Sequence, residues 1–402
     1  MKRTIQNLTM AAALLLGAAA MSSCAGFVDA LLGHEDTPAE TPTKPTTSDT
    51  NDGGSHEGSD MSLPPGAGFN LVDLSTLTED YTFKDGDVLT GTLDGTKTVI
   101  KLSVAPDAKV ILSGAQILGE DQGIFVNKWA GLTCLGNATI ILDGENTVRS
   151  FDRDFPCIQA GPDGSKLIIT GDGKLTTEGS SSAGIGSAND IACGDIEIQG
   201  GDFSLKDSRA GIGIWAGGSC GDITITGGTI STQGGGVGIG CSGDRSSCGN
   251  ITISGGTIST QGREVGIGIS GDESSCGDII ITGGTITAQG DMDPGIGCYG
   301  YESSCGDISI SWSENFVSLT AIKGNRVQNP IGLTNYSNCG DITFDGTIIK
   351  KRIDNYVEVD NGGIYGDLKL TISTTLPEDV DETDEEAVKP YKDNTWTLTP
   401  MR

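Results

Sequence analysis

The chain has 402 residues, of which 62 are glycine and only 2 histidine, and a formal net charge of −29. Abundant glycine with few aromatics excludes an ordinary helical globule and points to a repetitive, β-rich architecture. The acidity excludes a nucleic-acid binder and opposes direct binding of polyanions.

In chain order, Lys2 and Arg3 precede an apolar run, Leu8 to Ala20, too short to span a bilayer, and "MSSC" ends at Cys24. Ser22 and Ser23 before a cysteine resemble the lipobox of bacterial lipoproteins. That resemblance implies removal of residues 1–23, a lipid on the Cys24 thiol, and an exported chain held at the outer membrane or cell surface by that lipid alone. Residues 24–66 include a Thr-, Pro-, Asp-, Ser- and Gly-rich stretch that cannot bury enough apolar surface to fold, and read as a disordered tether. From residue 33 onward it would reach about 30 Å on average. His34 and His56 both fall in it, which removes histidine from any folded catalytic or metal site.

Residues 67–125 read as an N-terminal cap, "FNLVDLSTLTEDYTFKDGDVLTGTL", with the first one or two coils of a solenoid; residues 126–345 are its regular repeats. The repeat is clearest in "CGDITITGGTISTQGGGVGIGCSGDRSS" and the two units after it, which begin at Cys220, Cys248 and Cys276, with Cys193 before them and Cys305 and Cys339 after. Strand alternation puts Ile223 and Ile225 on one face and Thr224 and Thr226 on the other. Gly227 and Gly228 turn the chain, "TIST" places Ile230 inward, and "VGIGC" places Ile239 and Cys241 inward. Three strands and three turns in under about 30 residues describe one coil of a parallel β-helix.

Stacking such coils requires columns of compatible residues. The third strand supplies Leu132, Ile158, Ile185, Ile212, Ile239, Ile267, Ile296 and Ile331, and the first strand Ile140, Leu167, Ile196, Ile223, Ile251, Ile279, Ile308 and Ile342. The expected fold is all-β, a parallel β-helix of about 9–10 coils and roughly 45 Å. Residues 346–402, with an acidic loop and "NTWTLTP", form its C-terminal cap.

Cys193, Cys220, Cys248, Cys276, Cys305 and Cys339 then stack as a column of small apolar fillers. Disulfides between neighbouring coils remain geometrically open, whereas paired Cys-x₂-Cys zinc spacing is absent. Beside them runs a polar column, Asp195, Asp222, Asn250, Asp278, Asp307 and Asp341. Carboxylates about 4.8 Å apart repel by roughly 1 kcal/mol even in water, so something compensates. Either each Asp caps turn amides, or calcium bridges the column to the loop carboxylates Asp244, Asp272, Glu273 and Glu302.

Gly211, Gly213, Gly238, Gly240, Gly266, Gly268, Gly295 and Gly297 form a second column, followed closely by Trp215, Tyr299 and Tyr301. One reading is a flat outward stripe bordered by aromatics on which sugar rings stack; the other is glycine required by backbone conformation or close coil packing. Threonine ladders such as Thr224 and Thr252 need no function beyond strand preference. Catalytic signals are thin: Arg209, Arg245 and Arg263 sit in loops, and the irregular Asp152, Arg153 and Asp154 cluster reads as a solvated turn.

"VDLSTLTEDYTFKDGDVLTGTL", "WAGLTCLGNATIILDG" and the "GIG…CGDITITGGTI" repeat resemble Gram-negative surface or periplasmic lipoproteins of the adhesin-like, carbohydrate-binding-domain kind. The resemblance implies a right-handed, single-stranded parallel β-helix of pectate-lyase-like architecture and a polysaccharide partner, with calcium as the only candidate cofactor and no defined active site. The expectation is a lipid-anchored, non-catalytic binding module or adhesin. A polysaccharide lyase or glycoside hydrolase, and a structural spacer or protein-binding adhesin, are the alternatives.

Overall fold

The computed structural model describes residues 69–121, 129–179, 181–334, 336–350, 357, 359–377 and 380–401; Cys24, the tether and both histidines lie outside them. Alternation builds the wall of each coil. Ile223 and Ile225 are fully buried in the strand Ile223–Ile225, while Thr224 is half-buried and Thr226 exposed. The expected second and third strands run together as Thr229–Ser242, with Ile230, Ile239 and Cys241 inward. A short bridge, Ser247–Cys248, leads into the next coil.

Each strand pairs in parallel with its equivalent one coil on: Ile223 with Ile251, Ile230 with Ile258, Ile239 with Ile267. The product is an all-β solenoid around one continuous aliphatic core. Each fully buried isoleucine contributes about 1.5–3 kcal/mol relative to exposure, so the repeated Ile positions drive stacking. The third-strand column follows the expected register from Leu132 to Ile331. The first-strand column does so from Leu167 to Ile342, with a correction at its start: Leu167 pairs with Ala138, and Ile140 with Ile169. A slip of two residues keeps the same face inward, so alternation alone does not separate the two registers.

The two ends differ. Near the N-terminus, Asn70–Asp73 pairs in parallel with Asp87–Thr90, so these residues continue the coil pattern. At the C-terminal end the direction reverses. Thr347–Lys350 folds antiparallel onto Ile342–Phe344, and Thr395–Pro400 lies antiparallel between Phe316–Ile322 and Leu368–Ser373. Trp396 is buried there with its ring 6.3 Å from that of Phe344, and the closure covers strand edges that would otherwise be open to pairing.

The six column cysteines are buried and their thiols free, with Cys248 in register with Cys220 and Cys276, and Cys305 with Cys339. They form a thiol ladder filling a tight corner of the rod.

Candidate functional site

The polar column resolves into a backbone device. The Oδ1 of Asp195 accepts the N–H of Asp222, Asp222 that of Asn250, Asn250 that of Asp278, Asp278 that of Asp307 and Asp307 that of Asp341, all at 2.7–3.0 Å. Each acid thus caps the equivalent amide one coil on, and the amide oxygen of Asn250 does the same. The preceding glycine follows from this geometry, because a Cβ on Gly249 would lie 2.2 Å from the Asp222 Oδ1.

Asp244 and Asp272 repeat the device across the coil: Asp244 Oδ1 accepts the Asp272 N–H at 2.9 Å, and Asp272 Oδ1 the Tyr301 N–H at 2.7 Å. Glu273 and Glu302 are exposed at left-handed turn positions, φ 55° and 54°. Among the described residues, no group of three or more His, Cys, Asp or Glu side chains is arranged to hold a metal ion, so the two acidic sets are not gathered into one cage.

The glycine column is placed inside the wall rather than on its surface: all eight residues are buried. Gly213, Gly240, Gly268 and Gly297 have φ between 128° and 137°, and a Cβ on Gly240 would stand 1.9 Å from the carbonyl oxygen of Gly268. Gly211 and Gly238 press on Thr232, where a Cβ would come within 2.7 Å of its side chain. Glycine is required here by conformation and coil spacing, and the column offers no flat stripe to a ligand.

The aromatic residues define a different surface. Trp215, Ser242, Ser270 and Tyr299 stand in register on consecutive coils. At about 4.8 Å per coil, Trp215 and Tyr299 are roughly 14 Å apart along the rod. The two serines between them are small, buried and hydrogen-bonded at 3.2 Å. The resulting trough encloses about 530 Å³, with Arg209 and Glu264 from the turn before the third strand on one side and Asp190, Asp244 and Asp272 from the turn after it on the other. A second hollow of about 270 Å³, lined by Tyr301, Thr334 and Tyr336, shares Asp272 and Tyr299 with the first. The two make one groove along the rod, of a size ordinary for a ligand site.

Cations steady the rings. The Arg209 guanidinium lies 5.2 Å from the Trp215 ring centre, and that of Arg326 lies 6.0 Å from Tyr299. Arg326 also approaches Asp293 at 3.6 Å. Asp293 is fully buried, neither oxygen has a hydrogen-bond partner, and burial pushes its carboxyl up to about 6 against the pull of Arg326. Burial, with Asp293 next, also raises the Tyr299 phenol. Tyr301 is exposed, and its hydrogen bond to Glu302 raises its phenol.

Trp215, Tyr299, Tyr301, Asp244 and Asp272 are therefore brought to one groove, while the glycines and the Asp195-to-Asp341 column serve the backbone. Sequence reasoning missed Asp190, Glu264, Asp293, Arg326 and Tyr336; the one usable signal was for Tyr336, whose loop precedes Cys339 as the Tyr301 loop precedes Cys305. Asp152, Arg153 and Asp154 form a turn in which the Asp152 carboxylate accepts the Asp154 N–H at 2.9 Å. The threonine ladder is broken, since Thr252 pairs with Ile280.

No protein-family model, curated protein or solved structure matches this chain. The groove and the solenoid that positions it therefore carry the functional reading.

Proposed function

We propose that this protein is a non-catalytic polysaccharide-binding module, displayed on the tether of residues 24–66 from a lipid on Cys24. The observation that carries the reading is the groove in which Trp215 and Tyr299 stand three coils apart over a floor of serines. Rings present apolar faces to sugars, and the exposed Asp244 and Asp272 carboxylates present hydrogen-bonding groups to sugar hydroxyls. Its length along the rod suits a chain more than a single small molecule. Binding rather than hydrolysis is favoured because Asp244 and Asp272 are engaged as amide acceptors and Asp293, whose carboxyl burial pushes up to about 6, is shut away from solvent.

The test is retention of residues 67–402 on a panel of insoluble polysaccharides, with calcium and with chelator, followed by analysis of polymer ends. The proposal expects retention on at least one polymer without new chain ends, and weaker retention of Trp215→Ala. New ends would replace it with a lyase or hydrolase. No retention on any polymer would leave the spacer or protein-adhesin reading.

A further inference from the structure

Three tyrosines line the hollow at the far end of the groove. Tyr299 and Tyr301 flank Gly300 on one coil. Tyr336 stands one coil on at the position of Tyr301, because Cys298 is in register with Leu333 and the Glu302 N–H donates to the Tyr336 carbonyl oxygen at 3.1 Å. Gly300 is buried with φ 132°, and a Cβ there would collide with the Gly271 carbonyl oxygen, so the floor between the rings stays bare. With Asp272 and Thr334 these residues enclose about 270 Å³. Tyr301 is 57% and Tyr336 72% exposed, which leaves large apolar surface open to solvent beside the trough.

Charge gives the hollow a sign. Among the described residues no lysine or arginine lines it, whereas Asp272 does. Asp272 Oδ1 accepts the Tyr301 N–H at 2.7 Å, which holds this carboxylate beside the ring, and the Tyr301 hydroxyl donates to Glu302. A cation within about 6 Å of a ring centre is attracted by the ring's negative face, and several rings around one hollow hold ammonium groups in this way. The Tyr299 ring already has a cation beside it, the Arg326 guanidinium at 6.0 Å, whose charge the Asp293 carboxylate 3.6 Å away offsets.

We propose that this hollow is a cage for an ammonium group, and that the polymer in the groove is one that carries protonated amines, an amino-sugar polysaccharide. The second half rests on the glycan reading of the groove. The trough agrees in sign: the carboxylates of Asp190, Asp244, Glu264 and Asp272 line it against the guanidiniums of Arg209 and Arg245. Of these two, Arg209 is drawn to the Trp215 ring, 5.2 Å from its centre. The polymer lies along Trp215 and Tyr299, and an amine further along it enters between Tyr301 and Tyr336, where Asp272 balances its charge. An N-acetylated sugar brings no charge to the cage, and a uronate brings one that Asp272 and Glu302 repel.

The experiment measures, by calorimetry at mildly acidic pH, the binding of three probes to the folded full chain: a fully deacetylated glucosamine oligosaccharide, its N-acetylated counterpart of equal length, and choline. The deacetylated oligosaccharide should bind about tenfold tighter than the N-acetylated one, the scale of one desolvated cation–ring contact. Tyr336→Ala and Asp272→Asn should each abolish that preference, while Tyr336→Phe, which keeps the ring, should retain it. Asparagine still offers an oxygen to the Tyr301 N–H, as Asn250 does to Asp278, so Asp272→Asn separates charge from fold. Choline, an ammonium without a sugar, should bind far more weakly than the deacetylated oligosaccharide and lose its binding in Tyr336→Ala. Equal affinity for the two oligosaccharides, or a preference that survives both Tyr336→Ala and Asp272→Asn, would overturn the cage; the groove would still stand if Trp215→Ala weakened both. Tyr336-dependent binding of choline with neither oligosaccharide bound would support the cage and overturn the glycan reading. Choline bound as tightly as the deacetylated oligosaccharide would overturn the amino-sugar assignment.

Discussion

Replacing Gly240 by alanine tests why glycine recurs in the third strand. Gly240 has φ +128° and a Cβ there would stand 1.9 Å from the Gly268 carbonyl oxygen. Gly114 provides the control, with φ +66° but nothing within 4 Å of the added atom. Alanine at Gly114 carries the left-handed backbone penalty of about 1–2 kcal/mol, and alanine at Gly240, whose φ of 128° lies outside the small left-handed α region, at least as much. Only Gly240→Ala adds overpacking against the neighbouring coil, about 1–3 kcal/mol more. Urea unfolding followed by circular dichroism reads the difference; with a slope near 3 kcal/mol per molar, the Gly240→Ala midpoint should fall up to about 1 M further than that of Gly114→Ala. Equal midpoints for the two variants would refute the coil-spacing explanation.

The amide-capping column makes a graded prediction. Asp222→Ala removes the acceptor of the Asn250 N–H, 2.7 Å away, and should cost about 0.5–1.5 kcal/mol because the site is open to water, whereas Asp222→Asn should be nearly neutral. Both are read by the same unfolding assay. Asp293 predicts a pH dependence. Its folded pKa is raised from 3.8 to about 6, so the ionised form is disfavoured in the folded state. The stability tied to its proton is fully present below pH 3.8 and is lost as pH rises through about 6, a span on the order of 3 kcal/mol. Asp293→Asn should remove that component, leaving a variant relatively more stable at pH 8 than at pH 4.5 when each is compared with the parent; an unchanged difference between the two pH values would contradict it.

Much of the solenoid is legible in the sequence because its columns repeat chemistry. Ile212, Ile239, Ile267 and Ile296 announce a shared inward position, and Asn250 among aspartates marks an acceptor role that needs no charge. The glycine column misleads because alternation places Gly211 and Gly213 outward, while their actual constraint is the backbone of the next coil, which the sequence does not display. Where the register is ambiguous by two residues, as between Ala138 and Ile140, the inward face is the same and the pattern gives no preference. The groove is harder still. Successive turns place Arg209, Gly236 and Glu264 at one level after another, three residues without common chemistry, so their convergence on one wall emerges only from the stacking.

The most direct measurement of the central claim is the dissociation constant of one retained oligosaccharide for the parent chain and for Trp215→Ala, Tyr299→Ala and Trp312→Ala, by calorimetry. Trp312 is 39% exposed and lies outside the groove, so it controls for aromatic loss alone. The account predicts about tenfold weaker binding, or about 1.4 kcal/mol, for each of the first two variants and no change for the third. Undiminished binding by Trp215→Ala and Tyr299→Ala, or an equal loss in Trp312→Ala, would place the ligand elsewhere and contradict the groove as the binding site.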